Sequence, residues 1–333
     1  MDQFSAHLDR GWDLVQRGDV RGAEASARKA LELDSQSPEV YNLLGYVAAL
    51  QGEALEAIEN YRQAIALDDT YFEAMLNAAE VYIHPLGEYD EAIELCDEAL
   101  SLAETDDEIL DASLLKFDAL LGKGETKEAA ATLMRLPEGP FENPMQSFLV
   151  GRAFYEIGDI ERASPLVEYA AKKDPRNAEA WYYVGLVRDD RGDSRGATEA
   201  FIRARQLDAM LPPASWSLPR ELFAKSVENA VAALDPVLSR YVRNAMVVIS
   251  DIPGVEVVAD GVDPRAMVLL DGLPPPEAHG QAASRVFVYQ RNIERAAGSP
   301  DTVDQEIMSA LEREIAGVFL EGETRQRDRR ELN

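Results

Sequence analysis

Side chains able to do chemistry are sparse in this chain of 333 residues, and most of them stand alone. There are three histidines, His7, His84 and His279, and none lies at the i, i+4 spacing that would bring two imidazoles to one metal ion on a helical face. His279 falls in a loop and reads as a solvated side chain. The single cysteine, Cys96, excludes an internal disulfide, and its place on a packed helix reads as a small buried hydrophobe rather than a nucleophile. Asp251, Glu256, Asp260 and Asp263 cluster near a turn without the ligand spacing of a calcium loop, so they read as solvated acids. No G-x-S-x-G elbow occurs, and neither Gly317 nor Gly322 follows a strand and opens a helix as a phosphate cradle requires.

Charge narrows the function classes further. A formal net charge of −28 argues against nucleic acid, because neutralising phosphates needs clustered Lys and Arg, and equally against an anionic membrane surface. It suits a solvated acidic exterior and would attract a basic partner segment. No run of ~18 consecutive apolar residues is present, so no membrane span is expected. Met1-Asp2-Gln3-Phe4 leads straight into an amphipathic helix, with no basic leader followed by an apolar run. The expected compartment is the cytoplasm, and no cofactor is expected.

The elements that position any site follow from a repeat. Gly11, Gly18, Ala23 and Ala30 return 34 positions later as Gly45, Gly52, Ala57 and Ala64. Gly124, Ala129 and Leu133 return as Gly158, Ala163 and Val167, then as Gly192, Ala197 and Phe201. This period predicts stacked helix–turn–helix units, with the small residues placed where antiparallel helices cross closely. The third unit slips by one residue around His84-Pro85-Leu86-Gly87, and the register breaks again at Ala103-Glu104-Thr105-Asp106-Asp107-Glu108. The aromatic, the Leu-Gly-like pair, the turn Gly and the later Ala–aromatic–Ala set resemble the tetratricopeptide repeat family. Six units are expected over residues 4–208, the fourth being the most divergent because Lys116 and Phe117 stand where the small pair belongs.

That resemblance implies a right-handed superhelix whose inner face binds a peptide or another protein. With the first helix of each unit facing inward, helical spacing selects Trp12, Asn42, Tyr46, Asn77, Glu80, Phe148, Arg152, Tyr155, Tyr182, Leu186 and Asp189 as the partner-binding set. Asn offers a donor and an acceptor to a peptide backbone, while Tyr and Phe supply contact area at low entropic cost. Arg152 is the only cation in the set, which disfavours recognition of a C-terminal carboxylate.

A different pattern begins after Asp208. Met210-Leu211-Pro212-Pro213 lies in a linker at 209–218, and an α+β region is expected at 219–323, followed by a fraying tail at 324–333. Pro219 opens a helix carrying Leu222, Phe223, Val227, Val231 and Leu234. Ala245–Ser250, Met267–Leu270 and Arg285–Tyr289 read as strands, and 303–320 reads as a helix with Thr302 or Asp301 as its N-cap. Here the chain resembles the minimal zincin-like zinc metallopeptidases, through Val247-Val248-Ile249, Asp251, Pro253 and above all Tyr289-Gln290-Arg291-Asn292-Ile293-Glu294-Arg295. In that family the last helix carries H-E-x-x-H and a further acidic ligand. The matching stretch here has Arg313 and Gly317 at the two imidazole positions, Glu314 at the general-base position and Glu323 at the acidic-ligand position. Arg has no lone pair to give a metal and Gly has no side chain, so the resemblance implies a dismantled metal site.

The resulting expectation is an all-α tetratricopeptide solenoid followed by a small zincin-like α+β domain. Its expected function is a non-catalytic adaptor that binds a protein or peptide partner, with the inactive metallopeptidase-like region as a second interaction module. Two alternatives stay open: a zinc-dependent metallopeptidase with non-standard ligands, and a chaperone-like assembly factor.

Overall fold

The 34-residue period becomes helix pairs, each turned by a glycine and all but the third started by a polar side-chain cap. The computed structural model describes residues 2–137, 139, 141–272 and 282–321. The chain divides into two compact units, Met1–Ala170 and Ala171–Asn333.

In the first unit the pairs are α1 (Gln3–Gln16) with α2 (Val20–Leu33), α3 (Pro38–Gln51) with α4 (Ala54–Leu67), α5 (Phe72–Val81) with α6 (Tyr89–Leu102), and α7 (Asp106–Lys123) with α8 (Thr126–Leu133). A fifth pair is α9 (Pro144–Glu156) with α10 (Ile160–Lys173), whose last residues cross into the second unit. Asp2, Asp19 and Ser37 each accept a backbone N–H of the first turn they precede, satisfying donors that have no partner inside the helix.

The register glycines have two different jobs, so close helix crossing accounts for only some of the small residues of the period. Gly11 and Gly45 do lie at helix crossings: a Cβ on Gly45 would stand 2.6 Å from the ring of Tyr61, which is fully buried. Gly18 and Gly52 lie at no crossing and have open space around them; they are needed because the chain turns there at φ of 75° and 81°.

Both register breaks have local causes. The extra residue of the third unit is absorbed in a kink at Tyr82–Leu86, where His84 leaves the helical backbone conformation, closed by Gly87. The acidic stretch ends in a capping box, in which Thr105 accepts from the Glu108 N–H and the Glu108 carboxylate accepts from the backbone of Glu104 and Thr105. In the divergent fourth pair Phe117 is wholly buried and Lys116 turns outward to Asp97. Its second helix spans 8 residues, against 14 in α2, α4 and α6, and stops ahead of Pro137. Cys96 is buried, as expected, and burial pushes its thiol up to about 12.

The second unit holds the sixth pair, α11 (Ala178–Asp190) and α12 (Ser194–Met210). Next come α13 (Arg220–Ala233), α14 (Pro236–Ser239), β1 (Met246–Ser250), α15 (Val255–Ala259), β2 (Val268–Asp271), β3 (Arg285–Tyr289), α16 (Gln290–Ala297) and α17 (Val303–Ile315), with one wide turn, Ala316–Glu321, extending α17. β3 is central, parallel to β1 and antiparallel to β2. Val286 and Val288 of β3, Val268 and Leu270 of β2, Phe223 and Val227 of α13 and Ile307, Leu311 and Ile315 of α17 form one apolar core.

Two local expectations change. Leu222 is exposed, because the buried stripe of α13 runs through Phe223, Val227 and Ala230. Thr302 does not cap α17; its hydroxyl donates to the carbonyls of Ala297 and Ser299 in the preceding turn. The run Tyr289-to-Arg295, to which the sequence reading gave no secondary structure beyond Tyr289, forms the start of α16. The structure establishes a small three-stranded sheet in this region. By contact the sixth pair belongs with that sheet, so the compact units part at 170/171, whereas the sequence reading divides the chain after 208.

Candidate protein-binding face

In the first unit the first-helix residues of the partner-binding set come together in two groups. Trp12 of α1 lies against Tyr46 of α3, ring centroids 5.5 Å apart and planes tilted by 59°. One repeat further on, the amide of Asn77 donates to the Asn42 carbonyl oxygen at 2.9 Å, and the Asn42 amide donates to the Tyr71 hydroxyl at 3.2 Å. Asn42 is buried while Asn77 is half-buried and Glu80 exposed, so this ladder offers Asn77 and Glu80 outward over a floor fixed by Asn42. A fixed amide array presents hydrogen-bonding groups without losing side-chain entropy on binding.

The second group is on α9. Phe148 is buried, and Arg152 and Tyr155 are half-buried. Arg152 spans one repeat to Asp118 of α7, one terminal nitrogen contacting both carboxylate oxygens at 3.1 Å, and its Nε lies 3.6 Å from Glu156. Burial pushes the Asp118 carboxyl up, while Arg152 pulls it back down. The one cation of the set is thus tied to a carboxylate of the preceding repeat.

In the second unit Leu186 is half-buried and Asp189 exposed, but Tyr182 is engaged by the loop before β2. Its hydroxyl donates to Asp263 at 2.9 Å, and the Arg265 guanidinium lies 4.1 Å over its ring. Arg265 also makes a two-pronged contact with Glu179, at 2.7 and 2.8 Å. Asp208, at the end of α12, is buried between Arg265 and Arg295.

The residues 290–295, singled out in the sequence for a metallopeptidase resemblance, do structural work here. Glu294 is buried and accepts from the Ser217 hydroxyl at 2.7 Å, the Leu218 N–H at 3.0 Å and the Gln290 amide at 2.8 Å. Asn292 holds the carbonyls of Pro264 and Ala266, and Arg291 holds those of Leu211 and Pro212. One short helix thereby fixes the linker, the loop before β2 and the end of α12.

Arg313 on α17 and Gly317 in the turn that extends it are exposed, and a Cβ on Gly317 would meet nothing within 4 Å. Glu323 and His279 lie outside the described residues. Among the described residues no group of three or more His, Cys, Asp or Glu is placed to hold a metal ion. Glu314 is half-buried; burial pushes its carboxyl up, against the lowering effects of the Leu270 N–H and of Arg313. A carboxyl raised in the folded chain favours folding below the ordinary glutamate range, and that advantage is lost as pH rises through the raised value. Glu314→Gln should therefore gain more stability relative to the unaltered chain near neutrality than at about pH 4. Urea unfolding at the two pH values checks this, and an equal difference at both would contradict it.

Sequence reasoning missed Tyr71, Asp118, Glu179, Asp208 and Arg265. Tyr71 precedes α5 and lies outside the helical stripe, while Asp118 lies on it, one period before Arg152, in the divergent fourth pair from which no residue was chosen. The others act through partners 57 to 87 positions away, which no local period reveals. A hint existed in Arg265, a lone cation among Asp251, Glu256, Asp260 and Asp263.

No described helix is long and apolar enough to cross a membrane. Comparison with known proteins agrees with the helix pairs. Over 247 residues the chain is 24% identical to Superkiller complex protein 3 of Mus musculus, matching 72% of this chain but 15% of the mouse protein. Among solved structures, that from the functional characterization of Pseudomonas aeruginosa pilF has a TM-score of 0.53 at 20% identity, covering 63% of this chain and 93% of that one. PilW, described as a widely conserved type IV pilus biogenesis factor, also gives 0.53, at 19% identity, covering 64% and 95%. At these identities the two structures speak to the fold alone. The tetratricopeptide repeat family model matches residues 8–72, 55–108 and 149–213, so the helix pairs within those residues are tetratricopeptide repeats.

Proposed function

We propose that this chain is a non-catalytic adaptor whose tetratricopeptide repeats bind a protein or peptide segment along their first-helix faces. The observation that carries the reading is the Asn77–Asn42–Tyr71 ladder beside the Trp12–Tyr46 pair. It is a preorganised set of amides and aromatic rings of the kind that holds an extended backbone and its side chains. The net charge of −28 favours a partner segment rich in Lys and Arg. We read the region after 218 as a zincin-like scaffold without its metal donors, serving as a second contact module. Arg313 and Gly317 support this by offering no lone pair where imidazoles would stand.

Affinity purification from the native host tests the reading, comparing the unaltered chain with the Asn42→Ala/Asn77→Ala double variant. The variant should retain its helix content and lose about tenfold in recovery of the partner that the unaltered chain captures, the size expected for two central polar contacts. Equal recovery by the two chains would overturn the proposal.

A further inference from the structure

The contact between repeat six and the loop before β2 has the make-up of a ligand site that is already occupied. Its walls belong to the repeat: the carboxylate of Glu179 and the ring of Tyr182 on α11, and the carboxylate of Asp208 on α12. Its occupant comes from elsewhere in the sequence. Arg265 places two nitrogens on the two oxygens of Glu179, at 2.7 and 2.8 Å, turns its Nε toward Asp208 at 3.4 Å, and sets its Cζ over the Tyr182 ring, 4.1 Å from the centroid. A planar fork of donors met by a carboxylate, with an aromatic face beneath it, selects guanidinium over ammonium.

We propose that Glu179, Tyr182 and Asp208 form a guanidinium slot in repeat six, which Arg265 fills in cis and which an arginine side chain of a bound partner segment takes in its place. This rests on, and deepens, the reading of the repeats as a face for a basic segment.

Three features support exchange of the side chain. The loop backbone is held independently of the slot: the Asn292 amide donates to the carbonyls of Pro264 and Ala266 at 3.1 and 2.8 Å, and the Asp263 carboxylate accepts the Arg265 N–H at 2.7 Å. Arg265 can therefore swing out while its backbone stays in place. The slot keeps its shape when emptied, because Asp263 fixes the Tyr182 hydroxyl and Arg295 still anchors Asp208. Departure of Arg265 also leaves two carboxylates facing one remaining cation, an imbalance that a second guanidinium corrects. Glu179 is half exposed, at 50%, and provides the way in. Competition with a tethered Arg265 makes occupancy a matter of effective concentration, so a segment anchored on other repeats gains entry where a free arginine binds weakly.

The test uses the full chain and N-acetyl-arginine methylamide as the probe, followed by calorimetry or NMR titration. Arg265→Ala should bind this probe about tenfold more tightly than the unaltered chain does, and should prefer it to N-acetyl-lysine methylamide. Adding Glu179→Gln to Arg265→Ala should remove the gain. A folded Arg265→Ala chain that shows no gain, or that binds the lysine probe equally well, would overturn the proposal. Should Arg265→Ala fail to fold, the Nε–H resonance of Arg265 in the unaltered chain gives the answer. It should move toward its free position as the probe is raised, and a fixed resonance at the solubility limit would overturn the proposal. The probe contains no partner, so a negative result here leaves partner capture by the Asn42–Asn77 face standing, and loss of that capture leaves the slot standing.

Discussion

Glu294→Ala is expected to lower the stability of the second unit by about 3 kcal/mol, and Glu294→Gln by only about 1 kcal/mol. The carboxylate is buried and accepts three hydrogen bonds, two on Oε1 from the Leu218 N–H and the Gln290 amide, and one on Oε2 from the Ser217 hydroxyl. Alanine leaves all three donors without their acceptor in a part-buried site, and each such donor carries a desolvation penalty. Glutamine can keep its carbonyl oxygen toward Leu218 and Gln290, while its amide turns to Ser217, whose hydroxyl rotates to accept. The contrast separates a hydrogen-bonding role from a role for the charge itself. Hydrogen exchange read by mass spectrometry should show the loss in the linker, α13 and α16, with urea unfolding giving its size. Equal losses for the two variants would mean that the negative charge, rather than its acceptor oxygens, holds the linker.

Gly45→Leu should destabilise the first unit by about 3 kcal/mol, and Gly52→Ala by about 1 kcal/mol, although both glycines belong to the same repeat pattern. At Gly45 a Cβ would stand 2.6 Å from the Tyr61 ring, and Tyr61 is fully buried with no room to withdraw. The helices α3 and α4 must separate, which opens the cluster formed by Ala57, Ile58 and Tyr61. At Gly52 nothing lies within 4 Å, so an added methyl meets no neighbour; the penalty is only that of holding an L-residue at φ 81°. Thermal unfolding of the two variants ranks the effects. A larger loss at Gly52 would show that turn geometry, not helix approach, limits the repeat.

These two glycines also show how far the sequence could be read. A period of 34 marked both of them, because any position where a side chain is forbidden looks alike in a single sequence, whatever forbids it. The strand Arg285–Tyr289 was legible because its signal is local, whereas the stretch that ends in the capping box at Thr105 showed only as a break in the period. The exposure of Leu222 was not, because Leu222 and Phe223 are adjacent apolar residues and only the facing sheet decides which turns inward. Nor was the role of Tyr289-to-Arg295. Its unusual density of polar side chains stood out, but the groups they hold lie in the linker, in the loop before β2 and at the end of α12, and these meet only in the folded chain. On the binding face, helical spacing found Asn42 and Asn77 and their aromatic neighbours. It could not tell that Asn42 would be buried as a support for Asn77, or that Tyr182 would already have a cation on its ring.

Site-specific photo-crosslinking tests partner binding by the first-helix faces most directly. A photoreactive residue at Glu80 on α5 or at Tyr155 on α9, in the full chain and in the native host, should give crosslinks to one partner segment, mapped by mass spectrometry. The same residue at Glu59 on α4 or Glu98 on α6, both exposed on second helices, should give none above background. Crosslinks confined to Glu59 and Glu98, with Glu80 and Tyr155 silent, would contradict the account.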